Sequence, residues 1–80
     1  MTNTEKYNNA FIETFGVSEN DLARLKYQGI PAWDSVGHMS LIAALEDAFD
    51  IMFDTNDIID FNSYERGKEL LQKEDYGIKF

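Results

Sequence analysis

The residues best suited to a chemical reaction are Asp34 and Ser35, which lie between a loop ending at Trp33 and an amphipathic segment. Asp34 is a favourable helix N-cap, because its carboxylate can accept hydrogen bonds from the unpaired backbone N–H groups of a first turn. Ser35 then takes the first helical position. The partial positive charge of a helix N-terminus favours a phosphate group on that hydroxyl, whereas the negative charge of Asp34 opposes one. The same pair of residues also begins ordinary helices.

A hydrolytic site is a weaker interpretation of the same residues. Ser35 and His38 are three positions apart, so they could meet on one helix face, with Asp34 beside them. A serine nucleophile on a strand-to-helix turn needs a glycine two positions earlier, and that position holds Trp33. A helical domain of 80 residues also offers no evident oxyanion hole. We therefore expect His38, the only histidine, to be packed or partly exposed.

Four aspartates lie close together and invite comparison with a calcium loop: Asp47, Asp50, Asp54 and Asp57. A calcium-binding EF-hand loop needs ligands at alternating positions, a glycine at its sixth position and a glutamate at its twelfth. None of these spacings is present. We expect a solvated acidic face without a built metal site, and the alternative is weak, loose cation binding to the acidic helix.

The composition restricts the class of partner. Eighty residues make one small domain, 1–80, and a hydrophobic content of 44% is sufficient for a folded core. A net charge of -8 repels nucleic acid and anionic membrane surfaces, whereas it attracts partners that have basic patches. No apolar run reaches the length of a membrane span, and the first residues lack the apolar stretch of a secretory signal. We expect a cytoplasmic monomer that neither binds nucleic acid nor inserts into membranes.

The periodic signals in the chain are helical, and no strand or hairpin pattern is found. Helix one is predicted over residues 3–15, with a capping box between Thr2 and Glu5 at its start and Gly16 at its end. Residues 17–33 form a long connection with a short helical turn over residues 21–25. We expect its apolar side chains to pack on the core: Leu22, Leu25, Tyr27, Ile30 and Trp33.

Helix two is predicted over residues 35–49 and has two apolar faces. The first follows core-facing helical spacing and consists of Leu41, Ile42, Leu45, Ala48 and Phe49. The second adjoins Ser35 and consists of Val36, Met39 and Ala43. It either widens the core face or forms an exposed strip, rimmed by acidic residues, that suits docking onto a partner.

Two further helices complete the predicted structure. A short helix over residues 56–61 is capped by Asp54 or Thr55, and a last helix is capped by Ser63. The apolar side of the last helix consists of Tyr64, Gly67, Leu70 and Leu71. A glycine inside a helix costs about 1 kcal/mol relative to alanine, which a close helix–helix approach could offset. The apolar tail, residues 76–80, either folds back or frays.

The order of these features resembles the acyl carrier protein family, over a range from about residue 5 to about residue 72. Phe15-Gly16-Val17 resembles the end of that family's first helix. Other matching positions are those of its attachment-site helix (Asp34-Ser35-Val36, Leu41, Leu45, Glu46 and Phe49-Asp50) and of its third and fourth helices (Phe53-Asp54, Phe61, Asn62-Ser63-Tyr64 and Leu70-Leu71).

The resemblance implies an all-α fold: a small four-helix bundle of acyl-carrier-protein type, with three main helices, one short helix and a long loop between helices one and two. It implies that Ser35 Oγ carries a 4′-phosphopantetheine arm, which a phosphopantetheinyl transferase moves from coenzyme A with Mg²⁺. Asp34 would orient the site for that transferase. The arm supplies the thiol that this cysteine-free chain lacks, and it carries acyl groups as thioesters between enzymes of fatty acid, polyketide or other specialised biosynthesis. Such carriers are not themselves enzymes.

The resemblance also implies two surfaces. Acyl-loading and acyl-using enzymes with basic patches would dock on a surface formed by Val36, Met39, Ala43, Glu46 and Asp47. In many members of the family the acyl chain lies between the helices, and the corresponding candidates for a lining are Leu41, Leu45, Phe49 and Phe61.

The chain departs from the family pattern just after the serine. Gly37 and His38 stand where carriers of primary fatty acid synthesis have acidic residues, and Ser40 stands where glutamate is common. The lower density of negative charge near the arm favours a carrier of a specialised pathway over a carrier of primary fatty acid synthesis. The alternative function is that of a small acidic helical interaction module without a prosthetic group. It explains the charge and the apolar strip but gives no reason for Asp34-Ser35.

Overall fold

Helix α1 spans Asn3–Phe15 in the computed structural model, which describes residues 1–80. Thr2 Oγ1 accepts a hydrogen bond from Glu5 N at 3.1 Å, and the Glu5 carboxylate accepts one from Thr2 N at 2.9 Å. Gly16 ends the helix with a φ of 67°, a left-handed conformation that glycine adopts without strain. The predicted bounds, capping box and stop signal of this helix are confirmed.

The connection between α1 and the next long helix is held against the core. A 3-10 helix covers Glu19–Arg24, where a helical turn over residues 21–25 is predicted. The backbone of the following residues pairs with the start of the last helix, since Tyr27 N donates to Asn62 O at 2.9 Å and Tyr64 N donates to Leu25 O at 3.0 Å. The apolar side chains of the connection are buried or half-buried against the core, as predicted: Leu22, Leu25, Tyr27, Ile30 and Trp33.

Helix α2 spans Ser35–Phe49, as predicted, and packs against α1. Leu41, Ile42 and Leu45 are buried, whereas Ala48 and Phe49 are half-buried at the edge of the core. Aromatic rings fill much of the space between the helices; for example, the Phe11 ring lies 5.6 Å from Trp33 and 6.2 Å from Phe61, between centroids. Such ring pairs stabilise a core beyond the area that they bury.

Helix α3 spans Thr55–Asp60, one residue earlier than predicted, with Asp54 at its N-cap position. The Asp54 side chain makes no capping hydrogen bond. Helix α4 spans Tyr64–Leu71, and Ser63 Oγ accepts a hydrogen bond from Arg66 N at 3.0 Å, so the predicted cap is confirmed.

The tail after α4 folds back onto the bundle, which is one of the two predicted alternatives. Ile78 N donates to Leu71 O at 2.9 Å, and the Asn3 side-chain amide donates to Lys79 O at 2.9 Å. The Phe80 ring lies 5.2 Å from the Tyr7 ring, between centroids. The chain is a small all-α bundle, as predicted, and none of its helices combines the length and apolar character that a membrane span requires.

Asp57 is buried, so the prediction that it belongs to a solvated acidic face is wrong. Its side chain accepts hydrogen bonds from Lys73 Nζ at 2.8 Å and from Tyr76 OH at 2.6 Å. Both partners lie in the segment after α4, too far along the chain for sequence spacing to reveal them. The other three aspartates of the group are exposed: Asp47, Asp50 and Asp54.

Acid sensitivity is expected from this buried carboxylate. Hydrogen bonds from Lys73 and Tyr76 hold the pKa of Asp57 below its usual value of 3.8. Because the folded-state pKa is the lower one, the bonds stabilise the folded state above pH 3.8, and this stability is lost as the pH falls through the folded-state pKa. Asp57→Asn should reduce the free energy of unfolding by about 1.5 kcal/mol at neutral pH, and by progressively less as the solution is acidified.

Urea unfolding of the wild type and of Asp57→Asn, from neutral pH down to below pH 3.8, measures the difference in the free energy of unfolding. Burial and the bond to Asp57 raise the pKa of Tyr76 to about 12, so Tyr76 remains a donor throughout the titration. A difference between the two proteins that stays constant with pH would contradict the assignment of this acid sensitivity to Asp57.

Candidate functional site

The Ser35 side chain is exposed at the N-terminus of α2. Asp34 Oδ1 accepts a hydrogen bond from Gly37 N at 2.8 Å, and Asp34 O accepts one from His38 N at 2.8 Å, so the predicted N-cap is confirmed. The N–H groups of Ser35 and Val36 make no hydrogen bond within the chain. They add to the partial positive charge of the helix end beside the Ser35 hydroxyl.

The loop before Ser35 packs tightly on the first turn of α2. A Cβ atom at Gly37 would overlap the carbonyl oxygen of Ala32, which is backbone and cannot move aside cheaply. Glycine at position 37 therefore allows the loop to lie this close to the helix. This contact gives a structural reason for a glycine where the family resemblance would place an acidic residue.

Tyr27 approaches Ser35 from the connection. Its hydroxyl oxygen lies 3.0 Å from Ser35 Oγ, and either group can be the donor. The Tyr27 ring meets the His38 ring edge-on, with centroids 5.4 Å apart and planes at 72°. The sequence places an aromatic residue with a polar end in the loop that returns to α2, but it does not reveal that this end reaches Ser35.

His38 links three parts of the site. Trp33 Nε1 donates to His38 Nδ1 at 3.0 Å, and the other ring nitrogen lies 2.8 Å from Ile58 O. An indole nitrogen only donates, so Nδ1 must accept and Nε2 carries the proton that is donated to Ile58 O. Because both nitrogens are used, the hydrogen bond that a hydrolytic site would need between Ser35 and His38 is not formed.

A cavity of about 340 Å³ opens beside Ser35. Its walls come from the connection, α2, α3 and the residues before α4, and its lining residues are Tyr27, Ser35, His38, Met39, Ile58, Ile59, Phe61 and Asn62. Cavities that hold small organic ligands begin at about this volume and are mainly apolar, with a few polar groups that fix orientation. The Ser35 and Tyr27 hydroxyls are polar groups of this kind.

The four residues predicted as an acyl lining do not lie together at this cavity. Phe61 lines it, whereas Leu41 and Leu45 are fully buried in the core. Phe49 is half-buried, and its ring lies 6.4 Å from that of Phe80, between centroids. Of the other seven lining residues, three belong to α2 (Ser35, His38 and Met39) and two to α3 (Ile58 and Ile59). The adjacent isoleucines in a short helix are the sequence signal that points to the α3 wall.

The apolar strip on α2 is exposed and does not widen the core face. Val36 and Met39 are 76% and 53% exposed, and Ala43 is exposed as well. Asp47 is exposed further along the helix, but Glu46 is half-buried.

The Glu46 carboxylate has a role inside the fold. It accepts a hydrogen bond from Phe53 N at 2.9 Å, and so it supports the turn that follows α2. This bond engages one of the two carboxylate oxygens. Glu46 is therefore less available to a docking partner than the sequence pattern suggests. The chain holds no group of three or more histidine or acidic side chains arranged to bind a metal ion.

Comparison of the chain with protein-family models, with curated proteins and with solved structures gave no match.

Proposed function

We propose that the chain is an acyl carrier protein that is modified on Ser35 Oγ with 4′-phosphopantetheine. The observation that carries this proposal is the position of the Ser35 hydroxyl, exposed at a capped helix N-terminus and at the edge of an apolar cavity. When bound, the arm supplies a terminal thiol that holds an acyl group as a thioester. The carrier would serve enzymes of a fatty acid, polyketide or other specialised pathway.

The residues around Ser35 fit a phosphodiester. The side chain is exposed, so an attached group displaces nothing from the core. The free N–H groups of Ser35 and Val36 favour an anionic group at this helix end, while the charge of the neighbouring Asp34 opposes it. Asp34 keeps the helix start in place through its bond to Gly37 N, and its remaining oxygen can face the transferase and its Mg²⁺.

The cavity beside Ser35 supports the carrier function further. An apolar group tethered at Ser35 can be buried against Phe61, Ile58 and Met39 without entering the closed core around Leu41 and Leu45. Burial of this kind shields a thioester from water. The exposed strip of Val36, Met39 and Ala43 lies beside the same serine, and it can meet apolar side chains of a partner while the net charge of -8 attracts the partner's basic patches.

The proposal is tested by incubating the protein with coenzyme A, Mg²⁺ and a broad-specificity phosphopantetheinyl transferase, followed by intact mass measurement. We expect a gain of one phosphopantetheinyl group, located by peptide mass at Ser35. Because the chain contains no cysteine, a thiol reagent provides an independent count of the arms that have been added. A sample without transferase is the control.

An acidic interaction module is the second candidate function. It is favoured by large apolar side chains that line the cavity and are exposed, among them Met39 and Ile59, which are 53% and 75% exposed. Exposed apolar groups that are surrounded by charge are typical of docking surfaces. A folded protein that gains neither mass nor thiol would contradict the carrier proposal and favour this second function.

A further inference from the structure

We infer that Tyr27 is a positioning residue for the arm: its hydroxyl orients Ser35 Oγ before the transfer and donates a hydrogen bond to the phosphodiester after it. This inference rests on the proposed function and adds a residue that the family resemblance does not supply. The Tyr27 hydroxyl oxygen lies 3.0 Å from Ser35 Oγ, within hydrogen-bonding distance.

Tyr27 is itself held firmly enough to orient another side chain. Its backbone N–H is bonded to Asn62 O at 2.9 Å, which fixes the loop to the start of α4. Its ring rests against His38, whose two nitrogens are engaged by Trp33 and by Ile58 O. An exposed serine otherwise samples three staggered rotamers, so a fixed partner on one side favours the rotamer that faces Tyr27.

The other three tyrosines of the chain serve the bundle interior and its tail. Tyr7 OH donates to Tyr64 O at 2.6 Å, and Tyr64 OH donates to Asn8 Oδ1 at 2.5 Å. Tyr76 OH donates to Asp57. Tyr27 differs from all of them, because its hydroxyl is paired with the hydroxyl that the proposed function modifies and because its side chain also lines the cavity.

Transfer of the phosphopantetheinyl group changes which of the two hydroxyls, Tyr27 or Ser35, can donate the hydrogen bond between them. The bond between Ser35 Oγ and phosphorus forms, the bond from phosphorus to the departing adenosine 3′,5′-bisphosphate breaks, and the serine proton leaves to the transferase. Ser35 Oγ then has no proton and can only accept, so Tyr27 must be the donor, either to Oγ or to an anionic oxygen of the phosphodiester. Hydrogen bonds to charged acceptors are stronger than neutral ones. Such a bond directs the first atoms of the arm along the cavity wall to which Tyr27 belongs.

Tyr27→Phe tests the inference, with Tyr64→Phe as its matched control. Each variant removes one hydroxyl that is hydrogen-bonded, but Tyr64 OH is bonded to Asn8 and not to Ser35. We expect Tyr27→Phe to lower kcat for the transfer about five-fold, the effect of losing one hydrogen bond, with KM for the carrier unchanged because the α2 strip is intact. The ³¹P resonance of the modified Tyr27→Phe protein should also move from its wild-type position. Tyr64→Phe should leave both quantities at their wild-type values.

The outcomes separate this inference from the function on which it rests. A wild-type chain that gains no mass refutes both. A normal mass gain, combined with the same kcat and the same ³¹P resonance in Tyr27→Phe as in Tyr64→Phe, overturns the role of Tyr27 alone. If Tyr27→Phe does not fold, the test is made on the modified wild-type protein. A nuclear Overhauser effect between the Tyr27 ring protons and the methylene next to the phosphate supports the inference, and its absence overturns it.

Discussion

Ser35→Ala is expected to abolish the gain in mass completely while changing the free energy of unfolding by no more than about 0.5 kcal/mol. Alanine has no atom to which the arm could be joined. The fold should tolerate the change, because Ser35 is exposed and its side chain has one hydrogen-bond partner in the chain, the half-buried Tyr27. The capping bond from Gly37 N to Asp34 does not involve the serine hydroxyl.

Ser40→Ala is the matched control for this prediction. Ser40 is also an exposed serine of α2, and its hydroxyl donates to Val36 O at 3.2 Å. The control should gain one phosphopantetheinyl group as the wild type does. Intact mass and urea unfolding measure both variants. Full modification of Ser35→Ala would refute Ser35 as the attachment site, and an unfolded Ser35→Ala would show that the serine is structural.

Gly67→Ala is expected to reduce the free energy of unfolding by about 3 kcal/mol, the upper part of the range for overpacking a core. A Cβ atom at this position would overlap the Phe61 ring and the Tyr7 hydroxyl. Tyr7 is fully buried, and its hydroxyl is bonded to Tyr64 O at 2.6 Å, so it cannot move away without losing that bond. Intrinsic helix propensity favours alanine by about 1 kcal/mol, but the overlap acts in the opposite direction and is larger.

A double-mutant cycle with Phe61→Leu isolates the cause. Leucine is smaller than phenylalanine and relieves part of the overlap, so Gly67→Ala should cost clearly less in the Phe61→Leu background than in the wild type. Urea unfolding of the four proteins gives the coupling free energy. Equal costs in both backgrounds, or a stabilising Gly67→Ala, would refute the close approach as the reason for this glycine.

Features with short-range causes could be predicted from the sequence. The caps at Thr2, Asp34 and Ser63 join residues three positions apart, and the capping side chains are of the types that satisfy free N–H groups. The core residues of α2 follow from helical periodicity, which also sets the strip of Val36 and Met39 apart from them. For these reasons the bounds of α1 and α2 are confirmed to the residue.

Contacts between distant segments could not be predicted in this way. The partners of Asp57 lie 16 and 19 residues away, and Ile58 O meets His38 across 20 residues. Tyr27 reaches Ser35 only because the loop turns back and is paired with the start of α4. The sequence suggests a close helix–helix approach at Gly67 but does not reveal which groups make it: the Tyr7 hydroxyl, from α1, and the Phe61 ring. Each of these contacts depends on the tertiary arrangement, which periodicity does not encode.

Trp33 gives the protein an optical probe of its own. It is the only tryptophan of the chain, and it is fully buried. It lies two positions before Ser35, and its indole N–H is bonded to His38, which lies three positions after Ser35. All indole fluorescence therefore comes from one place in the fold. Emission from a buried indole lies at short wavelength and moves to longer wavelength when water gains access. A stopped-flow trace of unlabelled protein can thus report, in real time, whether events at the serine loosen the loop that precedes it.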